Sequence, residues 1–294
     1  MRLRIVLLVI ILLIIIVNMI LHSRQVNEVL LSVPSGIVAE IDDTIELPEV
    51  PSETKIPKII HRAVKDLDDI GKFKNAYDRT KLSNPNYEQI YYGDSEQLIF
   101  IKENYSERIV NAYNSIRDEF GPAKADLFRY LLIYLKGGIY LDDKSAVIKN
   151  LDKIIDNNDK LLVSRAYTYP VGIIPFEHIS DLYQSSFTTI YGEYSNWFVI
   201  SPPGNIALKN VILQTVSNIE FGMKNKNIYN KSKKSVLFMT GPIMYSNVIQ
   251  KNKKYCQEFK PCLERHLTYI TENHKKVSSG KHYSKLEDMN ILKV

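Results

Sequence analysis

PAKADLFRYLLIYLKGGIYLDDK, residues 122 to 144, is the stretch whose reading decides the fold. Pro122 suits a first helical turn, where its missing N–H costs nothing. Leu127, Leu131 and Tyr134 share one helix face, and Phe128, Leu132 and Leu135 widen it into a buried stripe. Gly137 stands where a helix usually ends in a left-handed residue. Ile139, Tyr140 and Leu141 then read as a short buried strand that runs into Asp142, Asp143 and Lys144. In open α/β sheets ligands bind beyond the carboxyl ends of strands, so these acids mark a candidate site. Gly137 and Gly138 beside them read as places where the backbone approaches a ligand closely. Asp126 and Arg129, three residues apart, project from one side of the helix.

Working outward, short apolar runs alternate with helical patterns. Lys58 to His61, Tyr87 to Tyr92, Leu161 to Arg165 and Trp197 to Ser201 read as strands. Glu96 to Tyr105, Glu107 to Phe120 and Asn205 to Phe221 read as helices. Such alternation predicts an α/β fold with a mainly parallel sheet covered on both faces. Residues 23 to 55 hold Pro34, Pro48, Pro51 and a series of acids with little periodicity, and read as a stem. The predicted organisation is a tail and anchor at 1–22, a stem at 23–55 and a catalytic-sized domain at 56–294. The tail after Lys275 is polar.

The chain's 294 residues, 45% of them apolar, suffice for one good-sized core. A net charge of +5 carried by scattered lysines argues against a nucleic-acid partner. Arg2 and Arg4 precede an apolar run from Ile5 to Leu21, long enough for roughly 25 Å of helix. No small-residue cleavage site follows, so an uncleaved signal anchor is the expected reading. Basic residues on the short tail place the N-terminus in the cytosol and the bulk of the chain across the membrane, a single-pass type II arrangement. In a eukaryote that suggests the Golgi or another secretory lumen. There Cys256 and Cys262 have two readings, paired or free, and Asn104 and Asn230 head glycosylation triplets.

The central segment also resembles the sugar-binding region of retaining glycosyltransferases that carry a DXD motif. This is the family 32 type, which includes the yeast Golgi α-1,6-mannosyltransferase and related viral and microbial sugar transferases. The family pattern falls on Ala123, Asp126, Arg129, Tyr130, Ile133, Gly137, Gly138, Tyr140, Asp142, Asp143 and Lys144. Ile56 to His61 resembles the first strand of that domain, and Asn84 to Glu88 the lead-in to its second. The resemblance implies a Rossmann-like fold of the GT-A type and transfer of a sugar from a nucleotide-diphosphate donor to a glycan or glycolipid hydroxyl, with retention.

In this family reading Asp142, Asp126 and Arg129 are the catalytic residues. Asp126, Arg129, Gly138, Tyr140, Lys144 and His61 face the donor, and Asn196 and Trp197 the acceptor. A divalent cation, Mn²⁺ by expectation, would rest on Asp142, with Asp143 and a late His282 as further candidate ligands. Thr240-Gly241-Pro242 is expected at the rim. One position departs from the pattern: Lys144 stands where the family has its second metal-binding acid. A lysine cannot ligate a cation, but it can bind a diphosphate as a point charge. The departure keeps open a non-catalytic sugar-binding protein of the same fold, and a phosphosugar transferase could share that fold.

Overall fold

The structure, a computed structural model, describes residues 38–51, 55–156, 160–164, 194–226, 228–229, 232–258, 266–269, 286 and 289–293. The apolar run Ile5–Leu21 and residues Arg165, Asn230, Cys262 and His282 lie outside the described residues. Among the described residues no helix is long and apolar enough to cross a membrane.

The strands are β1 (Ile59–Ala63), β2 (Glu88–Tyr92), β3 (Gly138–Leu141), β4 (Ser145–Val147), β5 (Leu161–Val163), β6 (Phe198–Ser201), β7 (Cys256–Glu258) and β8 (Leu267–Tyr269). The helices are α1 (Lys74–Ser83), α2 (Asp94–Asn104), α3 (Glu107–Ser115), α4 (Gly121–Lys136), α5 (Ile206–Lys224), α6 (Ser232–Met239) and α7 (Pro242–Lys251). The main sheet has the order β2-β1-β3-β6-β5-β7, and β4 pairs with β8 in a second, two-stranded sheet.

The fold is mixed α/β with a mainly parallel sheet, as expected, interrupted by one antiparallel strand. β1 runs parallel to β2 and β3, and β5 to β7, while β6 lies antiparallel between β3 and β5. Antiparallel β6 brings its first residue opposite the last residue of β3, with Phe198 opposite Leu141. The chain therefore enters β6 at the end of the sheet where β3 delivers its acids.

Side-chain alternation sorts the central strands into two faces. Ile60, Ile139, Leu141, Phe198 and Ile200 point to one face and form a core with Val147, Leu151, Leu162 and Leu267. Burying each such side chain contributes on the order of 1.5–3 kcal/mol. His61 and Tyr140, register partners on β1 and β3, belong to the other face, towards α4. α4 is buried over most of its circumference, from Ala123 to Tyr134, which explains its wide apolar stripe.

The predicted helix from Glu107 to Phe120 is two pieces. α3 stops at Ser115 and a 3-10 turn covers Asp118–Phe120. Between them the backbone turns outward to the C-terminal residues: Ile116 bridges Leu292, and Arg117 N–H donates to Ile291 O at 2.9 Å.

Part of the segment read as stem is docked on the folded unit. Ala39 N–H donates to Asn218 Oδ1 at 3.0 Å, Gln214 Nε2 to Ala39 O at 2.8 Å, and Asp42 N–H to Ser217 Oγ at 3.0 Å. Arg108 of α3 then clamps Asp42 at 2.5 Å and both carboxylate oxygens of Glu220 at 2.6 and 2.7 Å. Ile45 is buried beneath this strap.

Candidate active site

β3 ends with the Asp142 amide donating to Trp197 O at 2.9 Å, and the chain then reverses. The Ser145 amide donates to Asp142 O at 2.9 Å, so Asp142-Asp143-Lys144-Ser145 is a β-turn joining β3 to β4. The Asp142 carboxylate turns towards α4, where Arg129 Nη2 lies 3.0 Å from its Oδ1.

The same Arg129 nitrogen lies 3.3 Å from Asp126 Oδ1, so one guanidinium stands between two acids. Arg129 also donates through Nη1 to the Asn196 carbonyl, through Nε to Ala125 O at 3.2 Å, and sits 4.6 Å above the Tyr140 ring. Asp126 is held on its remaining sides: Oδ1 accepts from Asn196 Nδ2 at 3.0 Å and Oδ2 from Thr240 Oγ1 at 2.9 Å. Tyr130 completes the cage, accepting from Asn196 Nδ2 at 2.9 Å and donating to Thr240 O at 3.0 Å. The sequence thus brings α4, the turn after β3, the lead into β6 and the loop before α7 to one point.

The cluster has an inner and an outer end. The Asp126 and Arg129 side chains are 8% and 5% exposed, whereas that of Asp142 is 24% exposed. Burial disfavours the charge on Arg129, but Asp142, Tyr140 and Asp126 more than restore it, so the guanidinium stays charged. Burial pushes the Asp126 carboxyl up to about 7 against the pull of Arg129 and Thr240. Asp142 is raised as well, again chiefly by burial. Asp143 is pushed up to about 6 by burial and by its neighbour Asp142. Burial raises all three acids, and Arg129, Lys144 and Arg62 pull against it.

Not every expected residue joins this point. His61 is buried on the α4 side, its Nδ1 3.1 Å from Tyr92 OH, with Nε2 turned to Gly138 at the start of β3 rather than to the acids at its end. Burial lowers its pKa to about 4, so it is neutral. Gly137 and Gly138 are explained by protein packing. Both have positive φ, and a Cβ would lie 2.6 Å from Pro203 Cδ in the first case and 2.8 Å from Ile59 O in the second. Asn196 is an inner partner of Asp126 and Tyr130. Trp197 packs on the core, its ring 4.8 Å edge-on to Phe198. Lys144 is half-buried at the turn. Thr240, expected at the rim, has its hydroxyl inside the cluster.

Reasoning from the sequence missed Arg62. This residue is fully buried, and its Nη1 donates to the carbonyls of Asp142 and Ser145 at 3.1 and 2.7 Å. Its alternation with the inward-facing Ile60 was the available signal. Among the described residues no three His, Cys, Asp or Glu side chains converge as a metal cage. Asp142 and Asp143 are the two carboxylates the turn itself presents.

The α/β sheet thus carries an acidic turn and a buried Asp–Arg pair at the carboxyl end of β3. Residues 71–161 match the family described as the glycosyltransferase sugar-binding region containing DXD motif. Two curated relatives are mannosyltransferases of Schizosaccharomyces pombe. The initiation-specific alpha-1,6-mannosyltransferase is 26% identical over 216 residues, 70% of this chain and 51% of that protein. Inositol phosphoceramide mannosyltransferase 2 is 26% identical over 240 residues, 81% of this chain and 59% of that protein. The chain spans about half the length of the curated relatives it matches. Among solved structures the PaToxG glycosyltransferase is similar at a TM-score of 0.45 and 18% identity, covering 69% of this chain and 71% of that one.

Proposed function

We propose that this protein is a nucleotide-sugar-dependent glycosyltransferase of the GT-A type, moving a hexose to a glycan or glycolipid hydroxyl with retention of configuration. The observation that carries the reading is the Asp126–Arg129–Asp142 constellation at the carboxyl end of β3, held from four separate chain segments. A surface ion pair is worth only a few tenths of a kcal/mol. A buried acid–Arg–acid arrangement costs far more in desolvation, and such groups concentrate where charged ligands are handled. The relatives' names make mannose the first donor sugar to test.

The chemical demand is to stabilise the departing nucleotide diphosphate while the anomeric C–O bond breaks and the acceptor oxygen bonds to the same carbon. Arg129 and Lys144 supply positive charge at this end of the sheet. Asp126, Asn196, Thr240 and Tyr130 keep Arg129 in place. The carboxylates of Asp142 and Asp143 would hold a hard divalent cation. When bound, that cation supplies further positive charge to the leaving group. Lys144 at the second acid position favours a smaller contribution from metal and a larger one from protein cations. The apolar run Ile5–Leu21 after Arg2 and Arg4 supports a type II membrane enzyme of a secretory lumen.

The test is turnover of GDP-mannose, UDP-galactose and UDP-N-acetylglucosamine by the purified protein, with Mn²⁺ and with EDTA, alongside Asp142→Ala and Lys144→Ala. Donor turnover lost in Asp142→Ala is the expected result. Loss in EDTA assigns the leaving-group charge to a metal, and persistence in EDTA with loss in Lys144→Ala assigns it to the lysine. Nucleotide binding without turnover of any donor would replace the enzyme by a sugar-binding protein.

A further inference from the structure

Arg62 sits on the core face of β1, two residues from Ile60, with 0% of its surface exposed. A guanidinium in that place is costly, and an apolar side chain of similar size would suit the surrounding core better. Its partners explain it. Nη1 donates to Asp142 O and Ser145 O, the first and last residues of the acidic turn. Nη2 donates at 3.1 Å to Thr80 Oγ1 on α1. Thr80 is itself fixed, donating to Ala76 O at 2.8 Å and accepting from the Val147 amide at 3.0 Å. Two main-chain carbonyls of the turn thus accept from one side chain, Asp142 O alongside the Ser145 amide.

A peptide carbonyl that cannot rotate fixes its whole peptide plane, and with it the direction of the neighbouring Cα–Cβ bonds. We propose that Arg62 is a positioning residue: from beneath the sheet, backed by Thr80, it sets the peptide planes of the turn and so the aim of Asp142 and Asp143 at the donor. This rests on the glycosyltransferase reading given above. The pull of burial on the Arg62 guanidinium is opposed by Tyr91, Asp143 and Asp142, so its charge also tempers the repulsion between the two acids.

The experiment uses the full chain with Arg62→Lys, Arg62→Met and Thr80→Val, read in two ways. Hydrogen exchange at the Asp142 and Ser145 amides reports the turn without reference to activity. Donor KM and kcat report its use. The expected result is faster exchange at those two amides with β6 protection unchanged. With it, donor KM rises about tenfold in Thr80→Val, the cost of one hydrogen bond to a charged group, while kcat stays within about twofold. Arg62→Lys, which keeps the charge but reaches fewer acceptors, should fall between wild type and Arg62→Met. Exchange unchanged at the turn, or raised evenly across the sheet, overturns the proposal, as does an unchanged KM in variants whose turn has loosened. A wild-type protein inactive on every nucleotide sugar would defeat the functional reading alone, since the exchange measurement still decides the role of Arg62.

Discussion

Replacing Asp126 by Asn keeps the shape of the buried cluster and removes its innermost charge. The new amide oxygen can accept from Asn196 and Arg129, and the new amide nitrogen can donate to Thr240 Oγ1, so each hydrogen bond has a substitute. One cation serves two acids, and Asp142, with 24% of its side chain exposed, is the better solvated of the two. Burial raises both acids, and it takes the Asp126 carboxyl from 3.8 to about 7. The folded state holds that proton more tightly than the unfolded chain, so stability falls as pH rises through this window. The shift corresponds to at most about 4 kcal/mol of destabilisation above pH 7, which the Asn variant escapes. Denaturant unfolding at pH 4 and pH 8 measures it. Asp126→Asn should match wild type near pH 4, exceed it by at least about 1 kcal/mol at pH 8 and lose donor turnover. A variant less stable than wild type at pH 8 would show that the carboxylate is a net structural asset and refute the reasoning.

His61 is held neutral with a pKa lowered to about 4, so its contribution is complete above about 6.5 and lost as pH falls towards 4. The span is worth about 3 kcal/mol, and His61→Gln should flatten the acid limb of a stability–pH curve accordingly. Gly138→Ala places a Cβ 2.8 Å from Ile59 O at a φ of 94° and should cost more than about 2 kcal/mol in urea unfolding. Arg108→Ala removes the clamp between Asp42 and Glu220, and limited proteolysis should then cut within residues 38–51 several-fold faster while the sheet resists.

The α4–β3 unit was legible because its signals are local: a proline in the first turn, a glycine after the last, an apolar stripe and acids at the strand end. The Asp126–Arg129 pairing followed from helical spacing. What escaped depends on contacts distant in sequence. The glycines read as room for a ligand are fixed by Pro203 and Ile59. Thr240 reaches Asp126 across 114 positions, and Asn196 across 70. An isolated arginine after an apolar strand reads as a surface residue until α1 and the turn close around it. The antiparallel direction of β6 has no local signature either, since a short buried strand looks the same in both orientations. Helices α1, α6 and α7 lack the sustained apolar periodicity that exposed α5.

The Ser195 amide donates to Ser164 O at 2.8 Å, so two residues 31 positions apart in the chain are adjacent in space. Tyr194 is pinned independently, its amide donating to Ser246 Oγ at 2.8 Å. Ser195 leads directly into Asn196, whose side chain meets Asp126 and Tyr130. The lead into β6 is thus pinned at two successive residues before it delivers Asn196, so the buried amide inherits its position from the backbone.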